Sequence, residues 1–140
     1  MSKFRWLLPL VTSGLLVVAS CGGKKTYESI DLAVQPGDNA SVKNAKETWS
    51  SLCATCHGPT GHGDGPAGQA LVPKPRSFSE PGWQDSVTDA HIRKIILEGG
   101  AAVGKSPLMT GAPHLKGDPK AVDFLVKIVR SLGNEPAKKG

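Results

Sequence analysis

Apolar and polar residues recur with the period of a helix in three stretches of the chain. Over residues 40–53, Val42, Ala45, Trp49 and Leu52 fall three or four positions apart and share one face. Asp38, Asn39 or Ser41 stands where a cap is needed. Over residues 88–98, Ile92, Ile95 and Ile96 make an apolar stripe behind Thr88, a hydroxyl-bearing N-cap, and Gly99-Gly100 follow as a stop. The best-marked helix covers residues 118–132. Asp118 suits its N-cap, Pro119 its first position, and Val122, Leu125, Val126, Val129 and Leu132 its buried face. Gly133 is placed to end it at C′. The pattern predicts three helices between residues 40 and 132.

The flanks read differently. Lys3 and Arg5 precede a mostly apolar run from Trp6 to Ala19, 14 residues long. A spanning helix needs roughly 20, and Pro9 interrupts this one, so residues 1–20 read as an export signal. The ending Val18-Ala19-Ser20-Cys21 resembles the bacterial lipobox, in which the cysteine is acylated and becomes the mature N-terminus. An ordinary signal-peptidase site and an uncleaved anchor are the competing readings. Two or more acyl chains hold a protein to a membrane stably. The expected location is therefore a bacterial cell envelope, lipid-anchored and facing the periplasm or other extracytoplasmic side. Gly22 after the cysteine, by the same resemblance, favours an outer membrane. Residues 21–39 are expected to be the lipidated cysteine and a flexible tether, polar and broken by Pro36-Gly37. The alternation of Ile30, Leu32 and Val34 offers a short strand-like segment against the domain instead. Residues 134–140 read as a basic tail.

The chemistry concentrates in Cys53-Ala54-Thr55-Cys56-His57. This C-x-x-C-H spacing is that of covalent haem c attachment. Two thiols one turn apart can each form a thioether with one vinyl group of the same haem, and the next residue, His57, then reaches the iron. A structural zinc site would need four ligands, and no second cysteine pair exists. A thioredoxin-type pair would need a preceding strand, and nothing before residue 53 reads as one. One covalently bound haem also accounts for the composition. Aromatics make up only 5% of the chain, thin for a packed core, and a buried porphyrin supplies the missing apolar bulk. The formal charge of +5 comes from 17 Lys and Arg against 12 Asp and Glu. No basic stripe is interleaved with aromatics, so nucleic acid is not an expected partner. Gly63 to Gly68 matches G-x-G-x-x-G by letters, yet lacks the flanking strand and helix of a dinucleotide site. These glycines are expected to form a tight loop around the haem edge. Met109 is the only methionine besides Met1 and follows His57 by 52 residues. That is enough chain to pass to the opposite haem face, with Pro107, Gly111 and Pro113 holding an extended loop. A gap-filling core methionine is the alternative, and His62, His91 and His114 are rival ligands.

Over about residues 40–133 the chain resembles the class I c-type cytochromes: a helix leading into C-x-x-C-H, a Gly/Pro-rich loop, a middle helix, a methionine loop and a closing helix. The resemblance implies an all-α domain of cytochrome c fold over residues 40–133, about three main helices wrapped around one covalently bound haem, with His57 and Met109 as axial iron ligands. It also implies that a carbonyl in the run 71–78 accepts the second ring N–H of His57, with Pro75 the first choice and Pro73 the second. Arg76 is expected near a haem propionate or, equally, solvated at the surface; Trp83 near the propionates or in the core. Ala45 and Trp49 would meet the last helix at Ile128, with Phe124 one turn earlier. Six-coordinate iron leaves no open position, which argues for electron transfer and against an enzyme. The expected function is a membrane-tethered one-electron carrier in a respiratory or related chain, exchanging with redox protein partners and held to the lipid membrane through Cys21. The alternatives are the haem subunit of a larger redox complex and a ligand-binding or peroxidase-like cytochrome.

Overall fold

The computed structural model describes residues 27–136. Cys21 and the expected export signal of residues 1–20 lie outside them, as do residues 137–140. Five α-helices appear in order: α1 (Ala40–Thr48), α2 (Ala54–His57), α3 (Pro81–Ser86), α4 (Asp89–Glu98) and α5 (Pro119–Ser131). Short 3-10 turns cover Pro66–Gly68, Gly100–Val103, Pro113–Gly117 and Leu132–Asn134, and no strand occurs among the described residues. The fold is all-α, as the resemblance implies.

Three caps follow the sequence. The Asn39 side chain accepts the Val42 amide at 3.0 Å, Thr88 accepts His91 N–H at 3.1 Å, and Asp118 accepts Ala121 N–H at 3.0 Å. Each satisfies an amide that the first helical turn leaves without a carbonyl. α1 does not simply stop at Thr48. A π turn, Trp49–Cys53, joins it to α2, with the Ala54 amide reaching back five residues to the Trp49 carbonyl.

The core is centred on α5, which buries Ala121, Val122, Leu125, Val126, Ile128 and Val129. Ala45, Trp49, Phe78, Ile92, Ala112, Leu115 and Leu132 complete it. α1 makes its most extensive contact with α5, and α4 packs beside it. Ala45 and Ile128 are fully buried; Phe124 is only partly so and sits at the margin. Asp118 locks the α1–α5 crossing, because its carboxylate also accepts Ser41 Oγ at 2.8 Å and Asn44 Nδ2 at 3.3 Å. At the other end Arg130 ties α5 to the α3–α4 corner. It donates to Asp89 at 2.8 Å, to the Gln84 carbonyl at 2.6 Å and side chain at 2.9 Å, and to the Val87 carbonyl at 2.7 Å.

Two expectations need correction. Gly133 is not a left-handed C′ residue: Leu132 stays right-handed and the chain tightens into a 3-10 turn. Gly133 is wanted for space, since a Cβ there would lie 2.9 Å from the Gln84 side chain. Nor are residues 27–39 a free tether. Ile30 and Leu32 pack against the core, and Lys46, only 4% exposed, donates to the Ala33 carbonyl and to Asp38, both at 2.9 Å. The segment is extended without strand pairing, and Val34 faces solvent. Asn134, expected in the tail, donates its side-chain amide to the Tyr27 carbonyl.

Candidate functional site

The pentapeptide straddles the π turn and α2, so Cys53, Cys56 and His57 are carried on one rigid helical stretch. Gly58, at φ +78°, ends it, and its amide bonds to the Ala54 carbonyl at 2.8 Å. The chain then folds back on itself. Gly63 N–H meets the His57 carbonyl at 2.8 Å and Gly65 N–H the Cys56 carbonyl at 3.1 Å, satisfying the acceptors that α2 leaves exposed at its C-terminus. A Cβ on Gly65 would sit 2.5 Å from the Thr55 carbonyl, and one on Gly68 2.4 Å from that of Cys56. The close approach these glycines permit is thus to the pentapeptide's own backbone.

His57 is the best-defined group. It is 7% exposed, and burial pushes its pKa down, partly offset by its bond to the Arg76 carbonyl. That bond, Nδ1 to Arg76 O, is 3.0 Å long. A carbonyl only accepts, so Nδ1 carries the proton and Nε2 keeps a free lone pair. This is the tautomer a metal-ligating imidazole requires. Phe78 stacks on the ring at a centroid distance of 4.5 Å and 19°, and Phe78 N–H is anchored to the Gly61 carbonyl at 2.7 Å. One backbone carbonyl and one aromatic plate hold the imidazole in one orientation.

The carbonyl facing His57 is therefore that of Arg76 and not of Pro75 or Pro73. The Pro75 carbonyl is turned to the glycine loop, where a Cβ on Gly63 would approach it to 2.4 Å; the next carbonyl along the chain points to the ring. The Arg76 guanidinium is engaged separately, 2.7 Å from Glu80, with both side chains about half exposed (51%). Trp83 is partly buried against the core, 5.3 Å from Phe78. Phe78 itself carries no motif. The only signal for it was an aromatic closing a proline-rich run.

Neither pentapeptide cysteine is in a disulfide. Cys53 packs against the core, and burial pushes its thiol up to about 11, so it is protonated at neutral pH. Cys56 is half-buried, with Thr55 Oγ1 3.9 Å from its sulfur.

Met109 lies in a second constellation, at the end of α4. Gly99 turns the chain at φ +82°, and Gly100 N–H donates to the Met109 carbonyl at 2.9 Å. Met109 N–H bonds to Ser106 O at 3.2 Å, and Ala112 N–H to Ile96 O at 2.6 Å. A cavity of about 550 Å³ opens here, lined by Leu97, Ala101, Pro107, Met109 and Pro113 among others. Cys53, Cys56 and His57 are not on its wall. Two of the rival histidines are engaged elsewhere, His62 with Ser79 at 3.1 Å and exposed His114 with Thr48 at 3.3 Å; His91 lies in the first turn of α4. Among the described residues no cluster of three or more His, Cys, Asp or Glu could hold a metal ion. No described helix is long and apolar enough to cross a membrane.

These features fit a haem. Two cysteines at the C-x-x-C-H spacing precede an imidazole with its lone pair free, and Met109 lines a cavity of its own with Leu97, Pro107 and Pro113. A family model, cytochrome c, matches residues 42–132. No curated protein and no solved structure gives a match.

Proposed function

The chain belongs to the cytochrome c family, whose members act in electron transfer, and we propose that it works as a lipid-tethered one-electron carrier with a single haem c. Cys53 and Cys56 would hold the group by thioethers, and His57 Nε2 and Met109 Sδ would ligate its iron. Residues 1–20 are an export signal, Cys21 is the acylated mature N-terminus, residues 40–133 form the haem domain, and residues 134–140 end the chain as a basic tail.

The observation that carries the reading is the His57 imidazole, buried, neutral and fixed with Nδ1 on a backbone carbonyl. Nothing in the described residues uses its Nε2. The bound iron supplies a couple between ferrous and ferric states, and a Met/His pair sets it at higher potential than two histidines would. The protein's own part is to keep the ligands still. His57 is held by Arg76 O and Phe78, and Met109 by Gly100, so little rearrangement accompanies a change of iron charge.

Mass spectrometry of the mature protein tests both ends of the proposal. It should find one haem on the Cys53–Cys56 peptide, residues 1–20 missing and acyl chains on Cys21. Ferrous wild-type protein should not bind carbon monoxide, whereas Met109→Ala should bind it. Carbon monoxide binding by the wild type would rule out the six-coordinate assignment.

A further inference from the structure

The N-terminal segment is folded on itself and touches the domain at Tyr27, Ile30, Leu32, Ala33 and Asp38. Asp31 accepts the Ala33 amide at 2.9 Å and Gln35 Nε2 at 2.8 Å, and Asp38 accepts the Gln35 amide at 2.8 Å. Asp38 N–H closes the Pro36-Gly37 turn on the Gln35 carbonyl at 3.0 Å. Ile30 and Leu32 press on the core. Lys46 clamps both ends of the turn, its ammonium shared between Ala33 O and Asp38 at 2.9 Å each. That ammonium is almost fully desolvated, with its side chain 5% exposed and that of Asp38 15%. While the segment covers it, a cation so placed needs those two acceptors, because a desolvated charge left unpaired is costly. At the far end the Tyr27 carbonyl is held by Asn134, just beyond α5.

We propose that residues 27–38 are a fixed strap, so that the acylated Cys21 holds the domain close to a lipid bilayer with its Tyr27–Asn134 end towards it. This rests on the lipid-anchored reading. Six links separate residue 21 from residue 27, a reach of at most about 20 Å at 3.3–3.6 Å per residue. A tether running free to residue 39 would have eighteen. The redox partner then has to present itself at that same bilayer, as a membrane protein or another surface-bound carrier. A partner diffusing in bulk would have no advantage from this arrangement.

Two measurements on the full-length lipidated holoprotein separate the strap from the anchor. Hydrogen exchange in detergent should show protection at the Gln35 and Asp38 amides, lost in Lys46→Met, which keeps an aliphatic stem without the ammonium. Neutron reflectometry on a supported bilayer reads the gap between lipid and protein. Root-mean-square span grows as the square root of free length. Releasing the strap with Lys46→Met plus Asp38→Asn should therefore widen the gap about 1.7-fold, as should twelve Gly/Ser residues inserted between positions 26 and 27. The insertion leaves the domain untouched, so it calibrates the reading if the double variant folds poorly. Absence of protection in the wild type overturns the strap. A gap that widens with the insertion but not with the folded double variant overturns it as well. Protection without acyl chains on Cys21 removes the bilayer and keeps the strap.

Discussion

The carbonyl of Met109 accepts the Gly100 amide at 2.9 Å, so the only methionine of the domain is pinned to the end of α4. The three glycines around it leave no room for a side chain. A Cβ on Gly99 would lie 2.7 Å from the Met109 carbonyl, on Gly100 2.4 Å from that of Ser106, and on Gly111 2.6 Å from that of Leu97. All are closer than real Cβ contacts come.

Gly100→Ala is accordingly expected to displace Met109 while leaving the helices in place. In the ferric holoprotein the weak charge-transfer band at the red edge of the visible, a sign of sulfur on iron, should fade, with helical circular dichroism unchanged. Gly104→Ala is the control. It also sits at positive φ, +70°, but nothing stands within 4 Å of its Cβ, so it should lose about 1 kcal/mol to backbone strain and keep the band.

Arg76 offers a separation of backbone from side chain. Its carbonyl holds His57, while its guanidinium pairs with half-exposed Glu80. Arg76→Ala should then cost no more than about 1 kcal/mol and leave the redox potential within measurement error. Phe78→Ala should cost about 3–5 kcal/mol in denaturant titration, the usual loss for a buried phenyl ring. A large potential shift in Arg76→Ala would instead place the guanidinium on a propionate.

Much of this was legible in the sequence because it depends on local pattern. The buried face of α5, the caps Thr88 and Asp118, and the pentapeptide all follow from spacing. α3 was not legible: it has six residues and buries none of them, so no periodicity marks it. Lys46 was hidden in a different way. It follows Ala45 on α1 and reads as solvated, and its burial arises only when residues 30–38 fold over it. The choice between the Pro75 and Arg76 carbonyls turns on the direction of a peptide plane, which side chains do not encode.

Arg130 should prove the most sensitive polar residue outside the haem site. Its side chain is 9% exposed, and its fork reaches two carbonyls, a carboxylate and an amide oxygen. Arg130→Met leaves those acceptors without a donor and should lower stability by about 3–5 kcal/mol. Arg130→Lys should recover only part of this, since a point charge cannot span the planar set. Chemical denaturation of the three proteins checks the order.

Asp118 should give the fold part of its acid sensitivity. Bonds from Ser41, the Ala121 amide and Asn44, with Lys120 nearby, hold its carboxyl below the usual carboxylate range. A depressed native pKa contributes stability that is complete above the unfolded value and is lost as pH falls through the native one. Wild-type stability should therefore drop below about pH 5, and more gently in Asp118→Asn, whose amide does not titrate. Thermal melts across that range give the two slopes.

The π turn at Trp49–Cys53 acts as a phase shifter. One surplus residue in a helix of 3.6 residues per turn rotates everything after it by about 100° relative to what comes before. Trp49 can therefore be aimed into the core, towards Phe78, while the Cys-Cys-His edge looks elsewhere, though both ride on a single rod. Removing one residue from positions 50–52 would return the rod to α phase and swing the imidazole of His57 away from its carbonyl. This segment should tolerate exchanges of side chain far better than a change of length by one.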